Sequence, residues 1–252
     1  TLNLTLLTDL YELTMMQGYY KTGNKDLAVF DAFYRKNPCD SGYAICAGLE
    51  QVIEYIENLH FDADDIAYLR GLQIFDEDFL DYLANFHFSG DIYAIPEGSV
   101  MFPREPMLKV VAPIMEAQLI ETAVLNIINH QSLIATKAAR VCYAAKGDGV
   151  MEFGLRRAQG PDAGTYGARA AIIGGCSATA NVLAGKMFKG KVSGDAPIKP
   201  LYKGTGILVT EPTFRYPIIE NVTEWGGLVC DDGMFICCDD EVKDDIKARS
   251  NL

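Results

Sequence analysis

The sequence predicts an α/β protein, and three observations lead to that prediction. Between residues 118 and 194 the pattern runs helix, strand, loop, helix, strand, an order typical of a parallel sheet or barrel. Residues 90 to 113 are rich in glycine, proline and strand-forming residues, which predicts three short strands separated by turns. Between residues 8 and 86, four segments have helical periodicity or helix start signals.

The first predicted helix covers residues 8–23. Thr8 or Asp9 can cap its start, Glu12 can complete a capping box, and Gly23 follows the last turn. The next stretch, LAVFDAFYR, nearly alternates apolar and polar residues and predicts a strand. The other three helices have apolar residues at helical spacing or acidic first turns that suit the helix dipole. They are predicted for GLEQVIEYIENLH, DADDIAYLRGL and DEDFLDYLANF.

The second half of the chain begins with a long predicted helix over residues 114–145, which GDG ends. VMEFG then predicts a buried strand, GPDAGTYGARAAIIGG a glycine-rich loop, GCSATANVLAGKMF a helix, and KGKVSG the end of a strand. After Gly194 the composition changes. GILVTEP, YPIIENV and GGLVCDDGMFICC predict strands, and DDEVKDDIKARSNL predicts a polar helix. We therefore predict three regions, residues 1–117, 118–194 and 195–252.

Composition and charge narrow the class of protein. The 252 residues are 49% hydrophobic and 22% charged, which is enough to bury a sizeable core. A net charge of −12 argues against a general nucleic-acid binder, but a few local arginines can still hold a small anion. No uncharged apolar run reaches membrane-spanning length, and the first residues lack a signal-peptide pattern. We therefore expect a cytoplasmic protein without a membrane span.

The cysteines support the same compartment. Seven of them form an odd set without a secreted disulfide framework, so we expect reduced thiols. Cys230, Cys237 and Cys238 are either buried structural thiols or part of a metal site. Because their spacing is not C-x-x-C and no histidine is near, we assign no metal ligand.

The paired arginines Arg156 and Arg157 are the strongest candidates for a binding site. Guanidinium groups at the carboxyl end of a strand can hold a carboxylate or a phosphate, and ligands bind at that end in βα architectures. Two interpretations stay open from the residues alone. Either both arginines face an anionic ligand, or one pairs with a carboxylate of the protein while the other reaches water.

Weaker candidates have similar alternatives. Tyr11 either stacks on a planar ligand or is an interior aromatic beside Leu7, Met15 and Tyr19. The turn GGCSATAN either binds an anion at a helix start or has Ser177 or Thr179 as a helix cap. The histidines lack neighbours at ligand or triad spacing; we expect His60 and His87 to be solvated and His130 to be packed or paired.

Seven motifs cover residues 4 to 194, about three quarters of the chain. They are LLTDLYELTMMQGY, FDAFYRKNP, AGLEQVIEYI, YAIPEGSVMFPREPMLKV, QLIETAVLNIINHQSLIATKAAR, EFGLRRAQGPDAG and ANVLAGKMFKGKVSG. In this order they resemble the nicotinate phosphoribosyltransferase family of type II phosphoribosyltransferases.

The resemblance implies an enzyme that makes nicotinate mononucleotide and pyrophosphate from nicotinate and phosphoribosyl pyrophosphate, in NAD salvage. It implies Mg²⁺, ATP as co-substrate, and a homodimer whose partner completes the site. It also implies a small α/β domain beside an irregular α/β barrel, which this chain would hold incompletely.

The resemblance also assigns substrate-binding residues. Tyr11 would stack on the nicotinate ring, and Gly194 would lie against that ring. Arg156, with Leu155 beside it, would hold the carboxylate or the phosphates, and Arg157 would support that site. Guanidinium groups and Mg²⁺ would stabilise the departing pyrophosphate.

The sequence departs from the family pattern after Gly194. The family has a histidine there that is phosphorylated by ATP, whereas no histidine follows His130 in this chain. The catalytic residue is therefore left unassigned. The sequence omits a segment, or the chain is a truncated or spliced product, or it is a non-catalytic paralogue that acts as a binding or partner module. The amide-specific relative, which uses nicotinamide, is an option within the enzyme class.

Overall fold

A computed structural model of the chain describes residues 3–38 and 41–188, and beyond them the backbone of strands between residues 198 and 248. Contacts divide the chain into two compact units. Unit 1 is Thr1–Val150 with Gly154–Cys176, and unit 2 is Met151–Phe153 with Ser177–Leu252. The chain combines helices and sheets, as predicted; the predicted domain bounds and the barrel stay predictions.

Unit 1 contains the helices and strands predicted for residues 8–113, which confirms those assignments. Its helices are α1 Leu10–Thr22, α2 Leu49–Glu57, α3 Ala63–Gly71, α4 Glu77–Ala84, α5 Ile114–Leu119, α6 Glu121–Ala144 and α7 Pro161–Ile173. Its strands are β1 Leu27–Ala32, β2 Ala44–Ile45, β3 Asp91–Ala94, β4 Val100–Met101 and β5 Leu108–Pro113. The long predicted helix over residues 114–145 is divided at Ile120 into α5 and α6.

The strands of unit 1 are antiparallel. β5 lies between β1 and β3, with Val29 and Asp91 both opposite Val111, and β2 pairs with β4. The main core lies where these strands and helices α1 to α6 pack together. Its largest fully buried apolar side chains are Phe79, Met16, Leu69, Leu80, Leu83, Met101, Leu119, Ile120 and Val52.

Helix α7 corrects the prediction of a glycine-rich loop over GPDAGTYGARAAIIGG. Gly160 precedes the helix with φ 112°, and Pro161 occupies its first position, where proline is well tolerated. The small residues allow close packing on α6. At Gly174, the residue that follows the helix, a Cβ would lie 2.3 Å from the backbone oxygen of Ala135. Packing of α7 on α6 outweighs the low helix propensity of the two glycines inside α7, Gly164 and Gly167.

Unit 2 contains a parallel pair of strands, β6 Met151–Glu152 and β7 Ala178–Thr179, followed by α8 Val182–Phe188. The strand predicted for VMEFG is short, and it is not buried, because Met151 is 39% exposed. The helix predicted for GCSATANVLAGKMF is present only as α8, since β7 occupies its first part.

The later strands of unit 2 are β8 Ile198–Lys203, β9 Ile207–Thr210, β10 Ile219–Asn221, β11 Leu228–Val229, β12 Phe235–Cys238 and β13 Lys243–Ala248. β9 pairs with β10 and β12, and β8 pairs with β11 and β13, all antiparallel. The strands predicted within GILVTEP, YPIIENV and GGLVCDDGMFICC are confirmed. The polar helix predicted for residues 239–252 is wrong, since β13 pairs with β8 through six residues and obtains its backbone hydrogen bonds from that ladder.

Candidate functional site

Leu155, Arg156 and Arg157 form one turn of 3₁₀ helix directly before α7, and all three are exposed. The turn is closed by the amide of Arg157, which donates to the carbonyl of Gly154 at 2.8 Å. Leu155 packs closely on α7, because a Cβ at Gly164 would lie 2.6 Å from its Cδ1 atom. The start of α7 therefore supports the turn that carries both arginines.

Neither arginine is neutralised within the part of the chain that the structure describes. The ion pairs found there do not include Arg156 or Arg157, so the alternative in which one of them pairs with a carboxylate is not observed. Gly160, the residue before α7, has no side chain that could cap the helix. Two unpaired guanidinium groups beside the positive end of a 13-residue helix attract an anion, although Asp162 in the first turn opposes part of that attraction.

Tyr11 lies on α1 and is 47% exposed, so the alternative of an interior aromatic is wrong. Its hydroxyl donates a hydrogen bond of 3.4 Å to Glu121 on α6. Partial burial and the negative charge of Glu121 raise the pKa of Tyr11, so the hydroxyl stays a donor. One face of the tyrosine is thus accessible while its hydroxyl is tethered.

The other predicted site residues are distributed differently. Within the described residues, no hydrogen bond or ion pair joins Tyr11 to Arg156 or Arg157. Gly194 lies outside the described residues. Ser177 and Thr179 lie too far before Val182, the first residue of α8, to be its N-cap.

In unit 2 the cap of α8 is Asn181. Its Oδ1 atom accepts from the amide of Ala184 at 3.1 Å. The hydroxyl of Thr179 accepts from the amide of Asn181 at 3.0 Å and donates to Glu152 at 2.6 Å, and so links the two parallel strands.

Sequence reasoning placed Glu12 in a capping box, but the structure buries it completely, with 0% exposure. The hydroxyl of Thr8 donates to one carboxylate oxygen. Thr122 donates to the other oxygen through its hydroxyl at 2.8 Å and its amide at 3.2 Å. We call Thr8, Asp9, Glu12 and Thr122 the Glu12 cluster. Burial raises the pKa of Glu12, against the lowering effect of these donors.

A second carboxylate, that of the partly buried Glu97, was missed by sequence reasoning. Arg169 of α7 donates to both oxygens of Glu97, at 2.9 and 2.6 Å, and also to Glu50 and Gln131. Glu97 also accepts from the amides at the start of α2 at 2.6 and 3.0 Å. We call Glu50, Glu97, Gln131 and Arg169 the Arg169 cluster. Burial alone would raise the pKa of Glu97, but the bonds and charge of Arg169 lower it. A lone arginine among small residues of α7 was the only available signal.

The residues that the structure describes contain neither a candidate metal site nor a helix able to span a membrane. The described residues contain no group of three or more His, Cys, Asp or Glu able to hold a metal ion. The side chains of Cys230, Cys237 and Cys238 lie outside them. Among the described helices, none has both the length and the apolar character needed to cross a membrane. His60 and His87 are exposed as predicted, and burial lowers the pKa of the half-buried His130.

Comparison with known proteins supports the motifs quoted above. Residues 6–129 match the family described as the nicotinate phosphoribosyltransferase (NAPRTase) N-terminal domain. A nicotinate phosphoribosyltransferase of Bacillus subtilis is 53% identical over 193 residues, which are 76% of this chain and 39% of that protein. One from Caenorhabditis elegans is 44% identical over 194 residues, 75% of this chain and 34% of that protein.

Solved structures agree. Human nicotinic acid phosphoribosyltransferase has a TM-score of 0.70 and 35% identity, covering 75% of this chain and 39% of the human chain. A nicotinate-nucleotide pyrophosphorylase from Pyrococcus furiosus has a TM-score of 0.61 and 26% identity, covering 77% of this chain and 42% of the Pyrococcus chain. The chain thus spans less than half the length of these relatives. Through the three quarters of it that they match, the chain belongs to the nicotinate phosphoribosyltransferase family.

Proposed function

We propose that the full-length protein is a cytoplasmic nicotinate phosphoribosyltransferase. It would join nicotinate to the phosphoribosyl group of phosphoribosyl pyrophosphate, with ATP hydrolysis, and so supply NAD synthesis. The observation that carries the proposal is the exposed turn Leu155–Arg157, with two arginines unpaired in the described part of the chain, at the start of α7. Family membership supports the same chemistry, since the relatives carry that name.

In this proposal the two arginines meet the anionic parts of the substrates. Arg156 binds the nicotinate carboxylate or the phosphates with its planar fork, and Arg157 supports that site. Leu155 holds the turn against α7, which fixes where both guanidinium groups project. As pyrophosphate leaves the ribose, fixed positive groups stabilise the leaving anion without having to reorganise.

The nicotinate ring would stack on the accessible face of Tyr11, with Gly194 against it. Mg²⁺ would enter bound to the pyrophosphate of the co-substrate, since the described residues offer no cluster of metal ligands and we assign none. When bound, the ion would neutralise phosphate charge.

We also propose the architecture and assembly of the family. The order β6, α7, β7 and α8, with β6 parallel to β7, supports the start of an α/β barrel beside a small α/β domain. A homodimer is supported by an apolar surface on and before α1, here called the α1 patch. Its members are between 40% and 53% exposed; they are Leu7, Leu10, Tyr11 and Met15.

The direct test is formation of nicotinate mononucleotide by the full-length protein, with and without ATP. Arg156→Ala should lower kcat/KM by about 10²-fold, because one charged donor to the reacting anion is lost. Arg156→Lys should recover part of the activity. Arg70→Ala is the matched control, since Arg70 is an exposed arginine paired with Glu77, and it should change kcat/KM less than about twofold.

The second candidate is a non-catalytic paralogue, favoured by the absence of a histidine after His130. It predicts substrate binding without turnover. The intact mass separates the cases first: a mass well above 27.7 kDa means that the protein contains more residues than this chain. Competition between nicotinate and nicotinamide then separates the acid-specific enzyme from its amide-specific relative.

A further inference from the structure

Glu12 is the residue next to Tyr11, yet its side chain has the opposite environment. Tyr11 is 47% exposed, whereas Glu12 is fully buried. Neighbouring positions of an α-helix are rotated by about 100° from each other, so the direction of one side chain determines the direction of the next. Any contact that fixes Glu12 therefore also fixes the rotation of α1 and the side from which Tyr11 projects.

The contacts of Glu12 reach outside its own helix. Thr122 is 110 positions away, on the first turn of α6, and donates twice to one carboxylate oxygen of Glu12. The same hydroxyl lies 3.1 Å from a carboxylate oxygen of Asp9, the residue just before α1. Thr8 donates to the other oxygen of Glu12 from the preceding turn of chain. The Glu12 cluster thus ties the start of α1 to the start of α6.

The Glu12 cluster and the hydroxyl of Tyr11 both contact the first turn of α6. Glu121, which accepts from Tyr11, is the neighbour of Thr122. The tyrosine is therefore held at two points by one turn of α6: at its backbone through Glu12 and Thr122, and at its hydroxyl through Glu121. A buried carboxylate is costly unless its donors are retained, so the arrangement resists rotation of α1.

We propose that Glu12 is a positioning residue, which orients Tyr11 toward the nicotinate ring through its hydrogen bonds to Thr122 and Thr8. This inference rests on the proposed function for the role of Tyr11 in binding nicotinate. The geometry of the Glu12 cluster does not depend on that function. A positioning role predicts a selective effect. Binding of nicotinate should weaken, while binding of phosphoribosyl pyrophosphate and the turnover rate should change little.

The activity test uses the full-length protein and the variants Thr122→Val and Glu12→Gln. Thr122→Val removes the hydroxyl at constant shape and should raise KM for nicotinate roughly tenfold, equivalent to about 1.4 kcal/mol. KM for phosphoribosyl pyrophosphate and kcat should stay within about twofold. Glu12→Gln retains an oxygen that can accept from both the hydroxyl and the amide of Thr122, so it should have a smaller effect. Thr22→Val is the matched control, because the hydroxyl of Thr22 bonds only carbonyls of its own helix.

A structural readout separates this inference from the proposed function. With ¹³C-labelled tyrosine rings, the NMR signal missing in Tyr11→Phe is that of Tyr11. That signal should shift in Thr122→Val and Glu12→Gln but not in Thr22→Val. An unmoved ring signal together with an unchanged KM for nicotinate overturns the positioning role. A moved signal in a protein that makes no product supports the positioning and overturns the proposed reaction instead. Equal losses of affinity for nicotinate and for phosphoribosyl pyrophosphate also overturn the positioning role, since they indicate general destabilisation.

Discussion

Glu12 and Glu97 each hold two parts of unit 1 together, and they differ in what surrounds them. Glu12 is fully buried, whereas the side chain of Glu97 is 19% exposed. Glu12 accepts only from neutral hydroxyl and amide groups, and among the described residues no cation contacts it. Glu97 accepts from the guanidinium group of Arg169 and from the amides of Gly48 and Leu49. The pKa of Glu12 is raised and that of Glu97 is lowered, although both side chains are largely removed from water.

The comparison shows that burial by itself does not decide the charge of a carboxylate. Desolvation disfavours the charged form in both clusters, and neutral donors only partly compensate for it at Glu12. A guanidinium fork adds an opposite charge and two directed bonds, which reverses the outcome at Glu97. The Arg169 cluster is therefore a charge pair, and the Glu12 cluster is a hydrogen-bond network.

Removing the cation should have the largest effect on stability. Arg169→Met leaves the partly buried Glu97 without its opposite charge, and we expect the free energy of unfolding to fall by about 3 kcal/mol, the lower end of the range for breaking a buried pair. Chemical denaturation followed by circular dichroism measures this change. Arg169→Lys, which retains the charge but loses the fork, should be milder. A loss for Arg169→Met below about 1 kcal/mol would show that water, not Arg169, balances Glu97.

Removing a neutral donor should have a smaller effect. Thr122→Val deletes one hydroxyl that contacts Glu12 and Asp9 while its amide bond to Glu12 remains, so we expect a loss of about 1.5–2 kcal/mol. The same denaturation experiment applies, with Thr22→Val as the control. A loss as large as that of Arg169→Met would erase the proposed distinction between network and charge pair.

The smallest effect is the pH dependence of stability, and its sign should differ between the clusters. Because the pKa of Glu12 is raised on folding, its favourable contribution is full below about pH 4.3 and is lost as the pH rises through its folded value. Because the pKa of Glu97 is lowered, its contribution is present above about pH 4.3 and is lost as the pH falls through its folded value.

This sign difference can be measured with Glu12→Gln and Glu97→Gln, each compared with the wild-type protein from about pH 3 to pH 7. The stability cost of Glu12→Gln should be greatest at low pH. The cost of Glu97→Gln should be greatest near neutral pH, where the pair with Arg169 is fully charged. Difference curves of the same slope would contradict the comparison.

Local signals were sufficient for much of unit 1. Helix α1 ends where Gly23 was predicted to end it, with φ 68° at that residue. Helix α3 begins with the acidic first turn seen in the sequence, and Asp62 and Asp65 form a complete capping box. Such signals involve only a few neighbouring residues, so they can be recognised directly in the sequence.

The candidate site was only partly predictable. The pair Arg156 and Arg157 stands out in the sequence because of its charge, and the structure leaves both arginines exposed. That Tyr11 is accessible, and that α7 is a helix against which Leu155 packs, was not readable from the residues. The exposure of one helical face depends on what packs on the opposite face.

By itself, the sequence determined the α/β class, the helices and most of the strands of residues 8–113, the motifs that define the family, and the paired arginines. Only the tertiary structure decided that β2 forms, that α7 is helical, that residues 243–248 form a strand, and that Glu12 and the partly buried Glu97 have different charge preferences. The reason is distance along the chain. Glu12 and Thr122 are 110 positions apart, and Glu97 and Arg169 are 72 apart. Their bonds exist only when folding brings them together, so no local pattern records them.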